Sequence, residues 1–330
     1  MGQHRPPRSV LHFHTKLVNF KLFFARCGAT LSGGNMKKKI GFVGVGLMGH
    51  WLVRHLLAAG FPVTAHDLND ANVEAVVKFG ATRATSIADL AAQVDVVMLS
   101  LPNSNIVNDV VQNSLQLFAK PHKNLVLIDT STPDPETSVG LARRLREHDI
   151  EMLDATISGT SEMCAEKDVI FMVGGTESVY QAHQDIFSAL AKDAYFLGPN
   201  GAGGICKLVA NCVLTLNRFA LAEGLTLAKK AGLDQEQTLN VLKKSAAYSK
   251  AMDQKGMRMV KRQFDPPASR LSSSYKDARL ILSLGARIDC PLPLMSFAVQ
   301  VMASEVTKGH QNWDPATMIS FYNNIAGFDS

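Results

Sequence analysis

The segment Gly44-Val45-Gly46-Leu47-Met48-Gly49 constrains the fold more than any other stretch of this chain. It follows a short apolar run, Lys39–Val43, and opens an amphipathic stretch, Leu47–Ala59. A Gly-x-Gly-x-x-Gly turn in that setting predicts the first strand–helix junction of a βαβ unit. Gly44 permits a tight turn, Gly46 lets the backbone approach a bulky anion, and Gly49 lets the helix pack close to the strand. The helix N-terminus adds free N–H groups and the positive end of its dipole. The expected occupant is the pyrophosphate of a dinucleotide, cradled by Gly44, Val45, Gly46, Leu47, Met48 and Gly49.

The rest of the first half repeats that alternation. Val63–His66, Val94–Leu101, Leu125–Ile128, Val169–Val173 and Ala194–Leu197 are apolar, β-branched runs, as strands covered on both faces should be. Helical periodicity falls at Ala71–Phe79, Ile106–Phe118, Pro135–His148 and around Ser178–Leu190. Beyond Gly198 no strand pattern remains. A long helix is expected from about 205 to 231, ended by Gly232, with more helices near 235–246, 270–285, 292–308 and 314–323. The expected architecture is therefore an α/β Rossmann domain with a doubly wound parallel sheet (36–198), followed by an all-helical domain (199–330) that carries substrate and oligomer contacts. The active site is expected in the cleft between them.

Composition excludes several other classes. The 330 residues carry a formal charge of +5, but Arg5, Arg8, Lys16, Lys21 and Arg26 lie in an acid-free stretch and account for all of it. The remainder is neutral, which gives no electrostatic reason to bind nucleic acid or an anionic membrane. Five cysteines form no Cys-x-x-Cys pair, and ten histidines lack metal-ligand spacing, so no metal is assigned. Residues 1–35 are set apart as an extension, disordered or not native to the folded protein, because Met36-Lys37-Lys38-Lys39-Ile40 reads as a start feeding a buried strand. A mitochondrial presequence is the alternative, since such peptides are basic and acid-poor. The expected location is cytoplasmic, or the mitochondrial matrix under that alternative.

Asp67 ends the second strand, where an acid about 20 residues past the glycine loop should meet the adenosine ribose. Its carboxylate would repel a 2′-phosphate, and Leu68 and Asn69 supply no arginine, so NAD is expected over NADP. Leu101, Pro102 and Asn103 stand at the end of the Val94–Leu101 strand and should border the cofactor, because ligands sit beyond the carboxyl ends of parallel strands. Lys207 and Asn211 lie four apart, on one face of the long helix. A glycine-rich turn, Gly198–Gly204, leads into that helix and should leave its start open to an anion.

Taken in order, Gly41–Gly49, Asp129-Thr130-Ser131-Thr132-Pro133, Asp154–Gly159, Gly201-x-Gly203-x-x-x-Lys207-x-x-x-Asn211 and Lys276-Asp277 resemble the β-hydroxyacid dehydrogenases, of which 3-hydroxyisobutyrate dehydrogenase is the best-known member. The resemblance spans about 37–327, and 6-phosphogluconate dehydrogenase shares parts of it. It implies that Lys207 is the catalytic lysine and Asn211 its companion. It further implies that Ser158 and Gly159 grip the substrate carboxylate, with Thr160 beside them. Ser131 and Thr132 would sit near substrate and nicotinamide, and Lys276 would approach the cofactor from the helical half. Thr160 stands where the family pattern continues with glycine, and Leu271–Tyr275 is more polar than that pattern.

The expected activity is NAD-dependent hydride transfer between the cofactor and a small β-hydroxyacid or its semialdehyde. Substrates in view are 3-hydroxyisobutyrate, glycerate or tartronate semialdehyde, threonate and a short ω-semialdehyde. The alternatives are an NADPH-dependent short-chain semialdehyde reductase and a non-catalytic NAD(P)-binding interaction module. A homodimer or homotetramer is expected from the resemblance.

Overall fold

The computed structural model describes residues 37–122 and 124–328; the expectation for residues 1–35 lies outside the described residues. From Lys37 the chain alternates strand and helix: β1 (Ile40–Val43), α1 (Gly49–Ala58), β2 (Val63–His66), α2 (Asp70–Val77), β3 (Thr82–Arg83), α3 (Ile87–Leu90), β4 (Val96–Leu99), α4 (Ser104–Asp109), β5 (Val126–Asp129), α5 (Pro135–Arg146) and β6 (Glu151–Ser158). Then come α6 (Ser161–Ala165), β7 (Ile170–Gly174), α7 (Glu177–Ala182), α8 (Gln184–Leu190) and β8 (Asp193–Gly198). The eight strands form one sheet in the order β3-β2-β1-β4-β5-β6-β7-β8. Crossing from β3 to β1 and then out to β6 is the doubly wound topology, with its switch point between β1 and β4.

The strands are apolar at every position because both faces of the sheet are covered. Val96, Met98, Val126 and Ile128 join one hydrophobic cluster with α1 and α8, while Val97, Leu99, Leu125 and Leu127 join a second with α5. Successive residues of one strand thus feed opposite cores, as the two-residue strand period requires.

The sheet departs from an all-parallel expectation at one place. β6 and β7 are antiparallel, with Asp154 opposite Gly174, and β8 then runs parallel to β7. The link from β6 to β7 holds just the five-residue α6, too little chain for a parallel crossover. Two expected helices are also interrupted. The stretch after Ile106 closes in a π-turn at Val110–Ser114, and α7 and α8 are separated at His183, whose Nδ1 bonds the Val179 carbonyl.

Past Gly198 the described residues are helical: α9 (Ala202–Lys230), α10 (Gln235–Lys244), α11 (Met257–Val260), α12 (Leu271–Arg287), α13 (Pro293–Thr307) and α14 (Met318–Ile325). Leu208, Phe219, Leu225, Leu239, Met259, Leu271, Ile281, Met302 and Ile319 build their shared core. The short turn at Met252–Val260 carries no periodic signal and was not expected. Among the described residues, α9 is long and apolar enough to cross a membrane by length and composition. One side of it packs on β6, β7, α12, α13 and α14. The other exposes Ile205, Val209 and Val213, spaced four apart.

Candidate active site

The glycine loop joins β1 to α1 at the carboxyl edge of the sheet. Gly44 has φ +95°, and a Cβ there would strike the Ser100 carbonyl; a Cβ at Gly49 would strike the Gly44 carbonyl. A Cβ at Gly46 would meet nothing within 4 Å, so this glycine faces open space. Gly44 and Gly49 therefore shape the turn, and Gly46 keeps it clear. Among the described residues, no hydrogen bond engages the N–H groups of Gly46, Leu47 or Met48. No side chain caps α1, and its first turn contains no acid. Those features fit a dinucleotide pyrophosphate. Ser161 Oγ donates to the Leu47 carbonyl at 2.9 Å and ties the loop to α6.

Asp67 sits directly beside this loop. Its Oδ2 accepts from Val45 N at 2.7 Å, and its Oδ1 accepts from Asn69 N and Asn72 Nδ2. The helix cap at this point is Asn69, which leaves Asp67 facing the loop. Leu68 is fully exposed, and the nearby cation Arg83 is already paired with Asp70 and Glu74.

At the ends of β4 and β5, Ser131 Oγ accepts from Leu101 N at 2.9 Å and fixes the two strand ends together. Asn103 caps α4 through Ile106 N, so its side chain holds backbone in this state. Thr132 follows, part-buried. From the helical half, Lys276 Nζ on α12 reaches the Pro102 carbonyl at 3.4 Å. The strand-end segment and the helical half therefore meet at Lys276. At the end of β6, Gly159 has φ +152°, and a Cβ there would strike Val169. Thr160 caps α6 through Met163 N, and its hydroxyl helps hold the Glu162 carboxyl below its usual range.

The start of α9 corrects one expectation. It is not open to an external anion, because the buried Asp154 carboxylate occupies it. Gly201 N donates to Oδ1 at 2.8 Å and Gly204 N to Oδ2 at 3.1 Å. A Cβ at Gly203 would strike the Asp154 and Met172 carbonyls, so the helix rests directly on β6 and β7. Thr156 Oγ1 donates to the Gly203 carbonyl at 2.9 Å. This anchor fixes where Lys207 emerges, one turn later.

Lys207 and Asn211 do share a face of α9. Asn211 Nδ2 donates to Asp277 Oδ2 at 3.0 Å, and Lys276 Nζ lies 3.3 Å from Asp277 Oδ1. Asp277 thus links the two helices at the site. Among the described residues, Lys207 Nζ makes no hydrogen bond. Burial pushes its ammonium below the ordinary lysine range; Asp277 opposes that shift, and Arg218 and Lys276 add to it. A lysine so placed exchanges a proton closer to neutrality. Asp277 and Arg218 did not emerge as site residues from the sequence, although Asp277 adjoins Lys276 in the motif. Beneath the strand ends, burial raises the Asp129 carboxyl to about 6. Among the described residues, no three metal-ligating side chains cluster. A recess of about 730 Å³, lined by Lys261, Arg262, Phe264 and Trp313, shares no residue with this site.

A doubly wound sheet with an open glycine loop, joined by a helix that presents a depressed lysine, defines an NAD(P)-dependent oxidoreductase. Residues 39–198 match the family described as the NAD-binding domain of 6-phosphogluconate dehydrogenase. Residues 201–322 match the one described as NAD-binding of NADP-dependent 3-hydroxyisobutyrate dehydrogenase. The chain is 32% identical to 2-(hydroxymethyl)glutarate dehydrogenase of Eubacterium barkeri, over 88% of its own length and 96% of that protein's. It is 28% identical to L-threonate dehydrogenase of Cupriavidus necator, over 88% and 98%. Among solved structures, 3-hydroxyisobutyrate dehydrogenase from Mycobacterium tuberculosis with L-serine superposes with a TM-score of 0.78 at 26% identity, covering 87% of this chain and 99% of that one. The chain belongs to the β-hydroxyacid dehydrogenase family, and it is an NAD(P)-dependent hydroxyacid dehydrogenase acting on CH–OH donors.

Proposed function

We propose that the protein oxidises a small β-hydroxyacid reversibly with NAD, with Lys207 taking the hydroxyl proton. The observation that carries this reading is Lys207 itself: an unbonded, depressed lysine beside Asn211 and opposite Lys276. A dinucleotide held on the Gly44–Gly49 loop would supply the acceptor for the hydride from the hydroxyl-bearing carbon. Neutral Lys207 removes the hydroxyl proton in that direction and returns it in the reverse. Asn211, steadied by Asp277, orients the hydroxyl without adding charge. Ser158, Gly159 and Thr160 bind the carboxylate at the end of β6, and Ser131 and Thr132 border substrate and nicotinamide. Gly44–Gly49 hold the pyrophosphate, Asp67 the adenosine ribose, and Leu101, Pro102, Asn103 and Lys276 close over the cofactor.

Asp67 supports NAD, because its carboxylate would repel a 2′-phosphate and Arg83 is taken by Asp70 and Glu74. The second reading, an NADPH-dependent semialdehyde reductase, draws on the NADP-dependent family matched by residues 201–322. The candidate substrates are 3-hydroxyisobutyrate, tartronate semialdehyde, threonate and 2-(hydroxymethyl)glutarate. The division into 36–198 and 199–330, a cytoplasmic location free of membrane and nucleic acid, and a homodimer or homotetramer formed through the helical half complete the proposal. The test is initial-rate turnover of that panel with NAD+ and NADP+, alongside Lys207→Ala. Turnover by wild type and its loss in Lys207→Ala support the reading; undiminished turnover in the variant removes Lys207 from it.

A further inference from the structure

Arg218 is a half-buried cation that the reading above does not use. It stands eleven positions beyond Lys207 and seven beyond Asn211 on α9. At 3.6 residues per turn, both spacings return within about 20° of the same face. All three side chains therefore project from one stripe of the helix. Their backbones are spread along the axis, with Lys207 and Arg218 about 16 Å apart at 1.5 Å per residue. Their charges are close enough to repel, since Arg218 adds to the depression of Lys207.

The environment of Arg218 is incomplete. Its Nε is sealed from solvent and meets no acceptor, and among the described residues its guanidinium makes no hydrogen bond. The cations around it are satisfied. Lys255 donates to Asp314 Oδ2 at 2.7 Å and to Ser269 Oγ at 3.3 Å. Arg258 donates to the Gln263 and Pro266 carbonyls. Asp314 is the nearby acid, and its oxygens already accept from Lys255 and from the N–H groups of Ala268, Ser269 and Ala316. A cationic N–H sealed from water with no acceptor is costly unless an anion completes it.

We infer that Arg218 is a specificity-determining residue that receives a second carboxylate, at the far end of a substrate whose reacting hydroxyl lies at Lys207. This deepens the hydroxyacid reading and rests on it: the preferred substrate is a short hydroxy-dicarboxylate. One carboxylate is held at Ser158–Thr160 and the other by the Arg218 fork, which suits bidentate pairing with a planar carboxylate.

The test uses the full-length protein with NAD+ and two unreactive probes, glutarate and butyrate, measured by titration calorimetry in wild type, Arg218→Gln and Arg218→Lys. A charge-assisted pair lost from a buried site changes affinity by about 10- to 100-fold. Wild type is expected to bind glutarate at least about tenfold more tightly than butyrate. Arg218→Gln should erase that preference with butyrate binding unchanged, and Arg218→Lys should restore part of it. Equal affinity for the two probes in wild type overturns the inference, as does an equal loss for both in Arg218→Gln, which marks a structural role. Turnover of hydroxyacids is scored separately. Glutarate preference without any hydroxyacid oxidation defeats the catalytic reading alone, whereas oxidation with no dicarboxylate preference defeats the role of Arg218 alone.

Discussion

Among the described residues Lys207 reaches the site without a hydrogen-bonding partner, and burial loosens its proton. Oxidation needs the neutral amine, so kcat/KM for hydroxyacid oxidation should rise with pH through a pKa below the usual lysine value. Lys207→Met should lower kcat by about 10²- to 10⁴-fold, the usual contribution of a positioned general base, and flatten that limb of the profile. A pH–rate series on wild type and variant checks both. Asp67 makes a different kind of prediction. Asp67→Ala should raise the KM for NAD+ more than that for NADP+, because it removes a ribose acceptor and a 2′-phosphate repellent together. Equal effects would dissociate Asp67 from the ribose. Asp129 bears on stability. Burial raises its folded pKa to about 6, above the ordinary aspartate value of 3.8. Its contribution is therefore present below about pH 4 and lost as pH rises through about 6, up to about 3 kcal/mol. Asp129→Asn lacks that loss, so its Tm relative to wild type should climb between pH 4 and pH 7.5.

At the scale of elements, α9 and its seat on the sheet decide the site. Gly203→Ala would push a methyl group into the Asp154 and Met172 carbonyls, and overpacking of this kind costs about 1–3 kcal/mol. The helix must lift, so kcat should fall with Tm. Gly224→Ala, later in α9, meets nothing within 4 Å and should be neutral or stabilising by about 0.5–1 kcal/mol. Thermal melts and steady-state rates of the two variants separate the cases. The strands were legible in the sequence because β1, β4 and β5 are covered on both faces and hence apolar throughout. The glycine loop was legible because its three glycines answer to local sterics. Asp277 and Arg218 were not. The Asn211–Asp277 bond joins residues 66 positions apart, and Arg218 draws its meaning from donors left unmatched after folding. Local periodicity carries neither fact. The capping of α9 by Asp154 was hidden for the same reason, and the reversal of β7 follows from the length of a connection rather than from apolar pattern.

At the scale of the whole molecule, the apolar stripe Ile205, Val209 and Val213 lies on the flank of α9 turned away from its packed side, with Val209 and Val213 each 56% exposed. Such a stripe on a central helix supports burial between subunits. Val209→Asp combined with Val213→Lys should shift a dimer or tetramer toward monomer in sedimentation velocity. An unchanged distribution would take this flank out of the interface. The same continuous α9 carries Lys207 near its seat on the sheet and Arg218 three turns on, next to Phe219 of the helical core. The reacting hydroxyl and the distal carboxylate are then gauged against one rigid rod, with no hinge between them to absorb a mismatch. The protein becomes a ruler. Among straight-chain dicarboxylates of increasing length, affinity should pass through one sharp maximum, because each added methylene moves the distal charge while the guanidinium stays at its place on the helix.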